Sequence, residues 1–264
     1  MVQIQLCNGD LFLFINAILI FMSAKNIHIG CSSFYNAKWK NIFYPENIPS
    51  AKWFEFYCQH FNTFEINATF YKFPTLRVLE NWYKKSPDGF IYSVKAPKVI
   101  THIKKFLECR PEIDKLYALC KQGLSDKLGC ILFQLPPSFH YSPEKLNLII
   151  ESLNPNFKTA VEFRHQSWWS KDVYDQLAKN NIIFCSVSHP TMPSDIIANT
   201  FVGCLRLHGN PKMFYSEYSH TDLMNLHETI VNKHLFEEVF IYFNNTASAA
   251  GVLNALELRR LFKS

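Results

Sequence analysis

Leu128-Gly129-Cys130-Ile131-Leu132-Phe133-Gln134-Leu135 is a nearly continuous apolar run, stopped at Pro136-Pro137. A strand with one wet face alternates apolar and polar residues, and this one does not. It reads as a strand buried on both faces, as in a parallel sheet covered by helices. The proline pair ends it, since proline cannot donate to a sheet ladder. Ser142 then suits an N-cap and Pro143 the first helical position, which predicts a helix over 143–153. Thr159–Arg164 reads as the next strand, 170–180 as a helix and Ile182–Val187 as a further strand.

The same rhythm extends in both directions. Toward the N-terminus, strands over Ile27–Cys31, Thr63–Asn67 and Phe90–Lys95 alternate with helices over 50–61, 75–86 and 110–125. Toward the C-terminus, strands Phe201–His208 and Glu238–Asn244 alternate with helices over 219–233 and 246–262. Residues 190–199 offer only a short or irregular helix. Strict alternation demands a parallel sheet, and eight such units over about 240 residues predict an α/β fold, a single-domain (β/α)8 TIM-type barrel. An open doubly wound sheet is the runner-up, disfavoured because no Gly-x-Gly-x-x-Gly follows the first strand.

At 264 residues and 48% hydrophobic the chain can bury a large core, and 19% charged residues is too few for a disordered protein. The net charge of +5 favours anionic ligands mildly. Without a dense Lys/Arg block it is no nucleic-acid footprint. The eight cysteines include no Cys-x-x-Cys pair. Several sit in apolar strand patterns, so reduced, buried thiols in a cytoplasmic protein are expected. Residues 11–22 are apolar apart from Asn16, but a run this short falls below the ~20 residues a bilayer span needs. Residues 1–10 carry no Lys or Arg, as a secretory signal would. Residues 1–26 are therefore expected to be an apolar leader or upstream extension, with Met22 an alternative start. Residues 27–264 form the barrel domain, and no membrane span is expected.

Barrel sites lie at the carboxyl ends of the strands. Those ends carry an unusual set. Strand two gives Glu65 and Asn67, strand five Glu162 and Arg164, and strand seven Arg206 and His208. Each pair is two residues apart and so shares one strand face. Lys95 ends strand three, with His102 in the loop beyond; Gln134 ends strand four, and Asn244-Asn245 end strand eight. One such pair is commonly a structural ion pair. Three of them converging define a candidate cavity. Glu65, Glu162, His208 and His102 are the acid/base candidates there. Lys95, Arg164, Arg206, Asn67, Gln134, Asn244 and Asn245 are the candidates for holding a substrate anion. The last helix, opening Asn245-Thr246-Ala247-Ser248, can also offer backbone amides to an anion. A divalent metal would need Glu65, Glu162 and His208 with fewer cations nearby, so none is expected. The residues name no cofactor and set no oligomeric state. Loop aromatics Trp39, Tyr44, Tyr71, Trp168 and Tyr215 can stack on a base or sugar ring, although packing is the simpler reading.

With these residues in view, the chain resembles the domain of unknown function 72 family, also called YecE-like, over residues 27 to about 260. The resemblance rests on Gly30-Cys31-Ser32, Phe43-Tyr44-Pro45, Phe64-Glu65-Ile66-Asn67, Lys95-Ala96-Pro97 with Thr101-His102, and Phe133-Gln134-Leu135-Pro136-Pro137. It continues through Glu162-Phe163-Arg164 with Ser167-Trp168, Arg206-Leu207-His208-Gly209 and Phe243-Asn244-Asn245. Ser33-Phe34 stand where the family usually has Gly-Trp, and an acidic residue often found near strand six is absent from Ser186-Val187-Ser188. The resemblance implies a (β/α)8 barrel and carries over a site without a reaction.

The function expected from these residues is acid/base chemistry on a small anionic molecule, phosphorylated or carboxylated. The alternatives are a barrel acting on nucleic acid, with its rim on a phosphodiester or a flipped base, and a non-catalytic ligand- or partner-binding barrel.

Overall fold

The computed structural model describes residues 26–232 and 235–263. The expected leader lies outside the described residues except for Asn26, which already belongs to the first strand. The strands are β1 (Asn26–Cys31), β2 (Thr63–Ile66), β3 (Ile91–Lys95), β4 (Leu128–Gln134), β5 (Thr159–Glu162), β6 (Ile182–Ser188), β7 (Val202–Leu207) and β8 (Glu238–Phe243). Between and after them run α1 (Trp53–His60), α2 (Ala68–Tyr71), α3 (Leu76–Lys85), α4 (Arg110–Leu124), α5 (Pro143–Ser152), α6 (Lys171–Lys179), α7 (His220–Asn232) and α8 (Ala250–Leu261). All eight strands form one sheet, ordered β1-β8-β7-β6-β5-β4-β3-β2, with every ladder parallel. This is a (β/α)8 barrel.

The period-two alternation of the strands builds two cores. Outward residues such as Ile131, Phe133, Val161 and Phe163 join the large apolar layer under the helices. Inward residues Cys130, Leu132, Ala160, Ile183, Cys185, Cys204, Phe240 and Tyr242 fill the barrel itself. That double burial is why β4 reads as unbroken apolar sequence. Each fully buried side chain of this kind contributes about 1.5–3 kcal/mol. The cysteines among the described residues are free, and all but Cys58 are buried. The helix starts follow the capping logic: Ser142, Ser170 and Thr75 accept hydrogen bonds from the backbone N–H groups of Lys145, Val173 and Val78.

Among the described residues no backbone ladder joins β1 to β2, and side chains close the ring there. The Tyr57 hydroxyl on α1 accepts from the Cys31 N–H at 2.8 Å and donates to the Thr63 carbonyl at 3.0 Å. Gly30 makes the approach possible, since a Cβ at that position would stand 2.4 Å from the Thr63 carbonyl oxygen. Nearer the carboxyl ends, Asn67 Nδ2 donates to the Ser32 carbonyl at 3.1 Å.

The sixth crossover differs from expectation: residues 190–199 form no helix. Pro190 and Pro193 break the segment, each lacking the backbone N–H that a helix interior requires. Asn199 instead serves the lower part of β6, accepting from the Phe184 N–H and donating to the Ile182 carbonyl, both at 2.9 Å. The missing helix leaves an outer groove of about 390 Å³ against α7. No helix among the described residues is long and apolar enough to cross a membrane.

Candidate functional site

The carboxyl ends of the strands hold a buried charge network at the top of the barrel interior. Arg206, on β7, is its centre. Its Nε and Nη2 donate to the two oxygens of Glu65 on β2, at 2.9 and 2.7 Å, and its Nη1 donates to Glu162 Oε2 at 2.6 Å. The other Glu162 oxygen accepts from Arg164 Nε. Arg164 follows β5 rather than lying within it, and its Nη2 donates to His208 Nε2 at 3.0 Å. The same imidazole nitrogen is 3.3 Å from Glu162 Oε1. Glu65, Glu162, Arg206 and His208 are all fully buried, while the Arg164 side chain keeps 12% of its surface.

Burial and charge set the protonation states. Burial opposes ionisation of Glu162, but the Arg164 and Arg206 guanidiniums outweigh it and hold the carboxyl well below its usual range. Burial pushes His208 down to about 3 against the pull of Glu162, so the ring is neutral near physiological pH and can accept the Arg164 proton. Burial, helped by Arg206, lowers Lys95 to about 8. His102 is lowered by burial first and by Lys95 and Arg164 next.

Over this network opens a cavity of about 330 Å³. Asn67, Lys95, Gln134, Arg164, Arg206, His208 and Asn244 line it, so the structure brings most of the sequence-derived residues to one place. Phe70, Tyr71, Pro137 and Phe214 complete the wall. The short α2 places Phe70: Thr69 Oγ1 donates to the Lys95 carbonyl at 2.6 Å and docks the turn on the end of β3. The Lys95 ammonium then lies 4.3 Å from the Phe70 ring centroid. Asn67 Oδ1 is buried and has no hydrogen-bond partner.

Other expected residues are placed elsewhere. Glu65 is sealed beneath Arg206 and is absent from the lining. His102 sits on a π-helical turn, Val99–Ile103, against the edge of Phe70 and bonded to Thr101, one layer back from the cavity. Asn245 is fully buried and fastens the Ser216 carbonyl and Asn254. The last helix starts at Ala250 rather than 246, with the Ala250 N–H bonded to Ser248 Oγ and the Ala247 N–H to the Phe214 carbonyl. Those two amides are therefore taken. Of the loop aromatics, Trp39, Tyr44 and Trp168 are core packing, whereas Tyr71 and Tyr215 are exposed at 76% and 53%.

Phe214 and Met213 carry no signal that sequence reasoning could use. They belong to the loop after β7, which Gly209 turns with φ +88°. Phe214 reaches back to the mouth, its N–H bonded to the His208 carbonyl at 2.6 Å, and Met213 Sδ is 4.0 Å from Arg164 Nη1. The groove left by the missing sixth helix is larger than this cavity, but it is lined by residues such as Ile196, Leu205 and Leu226 and gathers no comparable charge.

An eight-stranded parallel barrel with a cationic cavity at its carboxyl-terminal mouth is the class of protein that fold and site define. Residues 28–264 match the family model described as Protein of unknown function DUF72, and the chain belongs to that family. It is similar to a DUF72 family protein of Thermotoga maritima, with a TM-score of 0.82, 26% identity, 90% of this chain and 100% of that chain covered. A DUF72 family protein of Enterococcus faecalis shares the fold at a TM-score of 0.74 and 20% identity, over 91% of this chain and 98% of that chain. The chain is also 30% identical over 140 residues to the UPF0759 protein YunF of Bacillus subtilis, an alignment spanning 50% of each. The match thus covers half the length of that relative.

Proposed function

We propose that the cavity binds a small anionic molecule and that the barrel carries out acid/base chemistry on it. The carrying observation is the use already made of the carboxylates. Glu65 and Glu162 are committed to Arg206 and Arg164, while Lys95 donates no hydrogen bond to any described residue and Arg164 Nη1 meets only a thioether. Three cations against two carboxylates leave one positive charge in excess beside open space, which an anion from solution can neutralise.

In this reading the roles divide by depth. Arg206 and Glu65 are supports that hold Glu162 and Arg164 in place. Lys95 and Arg164 meet the anion, with Asn67, Gln134 and Asn244 around it. Lys95, lowered toward neutrality, is the group best suited to moving a proton, and neutral His208 holds Arg164 in place through its Nε2 lone pair. Thermal unfolding with sulfate, phosphate and small carboxylates tests the reading. A saturable rise in melting temperature is expected, following the linkage between ligand binding and stability. Arg164→Met should remove that rise while the protein stays folded. No rise with any of these anions overturns the proposal.

A further inference from the structure

Among the described residues, Lys127 and Lys95 are both drawn into the protein, and they are treated differently. The Lys127 ammonium donates to the Tyr83 carbonyl at 3.0 Å, the Ser86 carbonyl at 2.8 Å and Ser86 Oγ at 3.1 Å. Every proton it carries has an acceptor, as a buried ammonium requires. Lys95 has none of this. Its nitrogen donates to no described residue and lies over the face of Phe70, with Arg206 and Arg164 as neighbouring like charges. Glu65 and Glu162 stand close by, but Arg206 and Arg164 occupy their oxygens. A structural lysine would be paired. A lysine held partly out of water beside other cations is one whose amine is made available for attack.

The surroundings fit a carbonyl compound carrying an anionic group. Arg164 Nη1 has only the Met213 sulfur, at 4.0 Å, and can hold a carboxylate. Asn67 Oδ1 is a buried acceptor without a donor on the same wall and can take a hydrogen bond from a hydroxyl. We infer that Lys95 forms a covalent imine with a small 2-oxo acid or similarly charged aldehyde bound in this cavity. The inference rests on the anion-binding reading above and names the substrate class for it.

The step balances without any further reactant. The neutral Lys95 amine attacks the carbonyl carbon, a C–N bond forms, and the carbonyl π pair moves to oxygen. The nitrogen gives up a proton and the oxygen takes one, leaving a hydroxyl that Asn67 Oδ1 can accept from. That hydroxyl then leaves as water, taking back from solvent the proton that the Lys95 ammonium released to become the neutral amine, while the nitrogen lone pair forms the C=N bond. The product is a protonated imine, whose positive charge draws electrons from the adjacent carbon. Lowering of Lys95 to about 8 keeps part of the amine neutral at working pH.

Borohydride trapping on the full chain tests this. The protein is incubated with pyruvate, glyoxylate or 2-oxobutyrate and reduced, and the modified lysine is located by peptide mass analysis. The expected result is one reduced probe per chain on Lys95, dependent on borohydride and lost in Lys95→Arg. Peptide mapping of the unaltered chain decides the question even if the variant fails to fold. No adduct with any of the probes, or labelling spread over exposed lysines with Lys95 spared, overturns the imine. If sulfate stabilises the unaltered chain in that same case, the anion site survives and only the covalent chemistry falls. Absence of sulfate stabilisation together with absence of adduct removes both.

Discussion

Arg206 takes both carboxylate oxygens of Glu65, at 2.9 Å through Nε and 2.7 Å through Nη2, and each side chain is only 1% exposed. A buried, bidentate pair of this kind ties together β2 and β7, strands that are not neighbours in the barrel. Its third nitrogen extends the network to Glu162 on β5. The Arg206 guanidinium is therefore the post on which the floor of the cavity stands.

Replacing Arg206 with Met should destabilise the protein severely. Glu65 and Glu162 would be left buried without their shared partner, a loss of about 3–5 kcal/mol for a broken buried ion pair. Urea unfolding measures it. A loss under about 1 kcal/mol, the range of exposed pairs, would mean water reaches these carboxylates.

Stability should fall as the medium is acidified, and the sign follows from two groups. His208 titrates near 6.5 in the unfolded chain and near 3 when folded. Between those values the unfolded chain holds a proton that the native chain does not, so stability rises with pH across that window. Glu162, lowered below 4.5 in the fold, adds stability that is present above 4.5 and lost as the pH drops toward its folded value. His208→Gln should flatten the pH profile of unfolding between about 4.5 and 6.5, where Glu162 is ionised in both states. An equally steep profile in the variant contradicts the neutral, buried assignment of His208.

Tyr57→Phe should loosen the seam between β1 and β2. The Cys31 N–H loses its acceptor and the Thr63 carbonyl its donor, with an expected cost of about 1–3 kcal/mol. Hydrogen exchange at the Cys31 amide should accelerate by more than that of amides in the β7–β8 ladder. Unchanged exchange at Cys31 would show that the seam is held by other contacts.

Much of this was legible in the chain itself. The unbroken apolar run of β4 and the strict alternation point to a parallel barrel, and pairs such as Glu162 with Arg164 mark one inward strand face. Sequence spacing cannot show which charges face one another. Glu65 and Arg206 are 141 positions apart, and only barrel closure reveals that they satisfy each other and leave Lys95 unpaired. Gln134 keeps its place on the wall while its Nε2 turns back to the Leu135 carbonyl at 2.8 Å. The short or irregular helix expected over 190–199 did not form, since Pro190 and Pro193 cannot extend a helix. Phe214 and Met213 reach the mouth through a loop whose path depends on the turn at Gly209, for which no hydrophobic period exists.

The most direct measurement is the location of a heavy anion in the barrel. Crystals grown without added ligand and soaked in selenate should show an anomalous peak in the cavity, within hydrogen-bond reach of both Lys95 Nζ and Arg164 Nη1. That peak should vanish in crystals of Arg164→Met. Selenate found only on the outer surface, with the cavity between Lys95 and Arg164 free of it at saturating concentration, contradicts an anion site there.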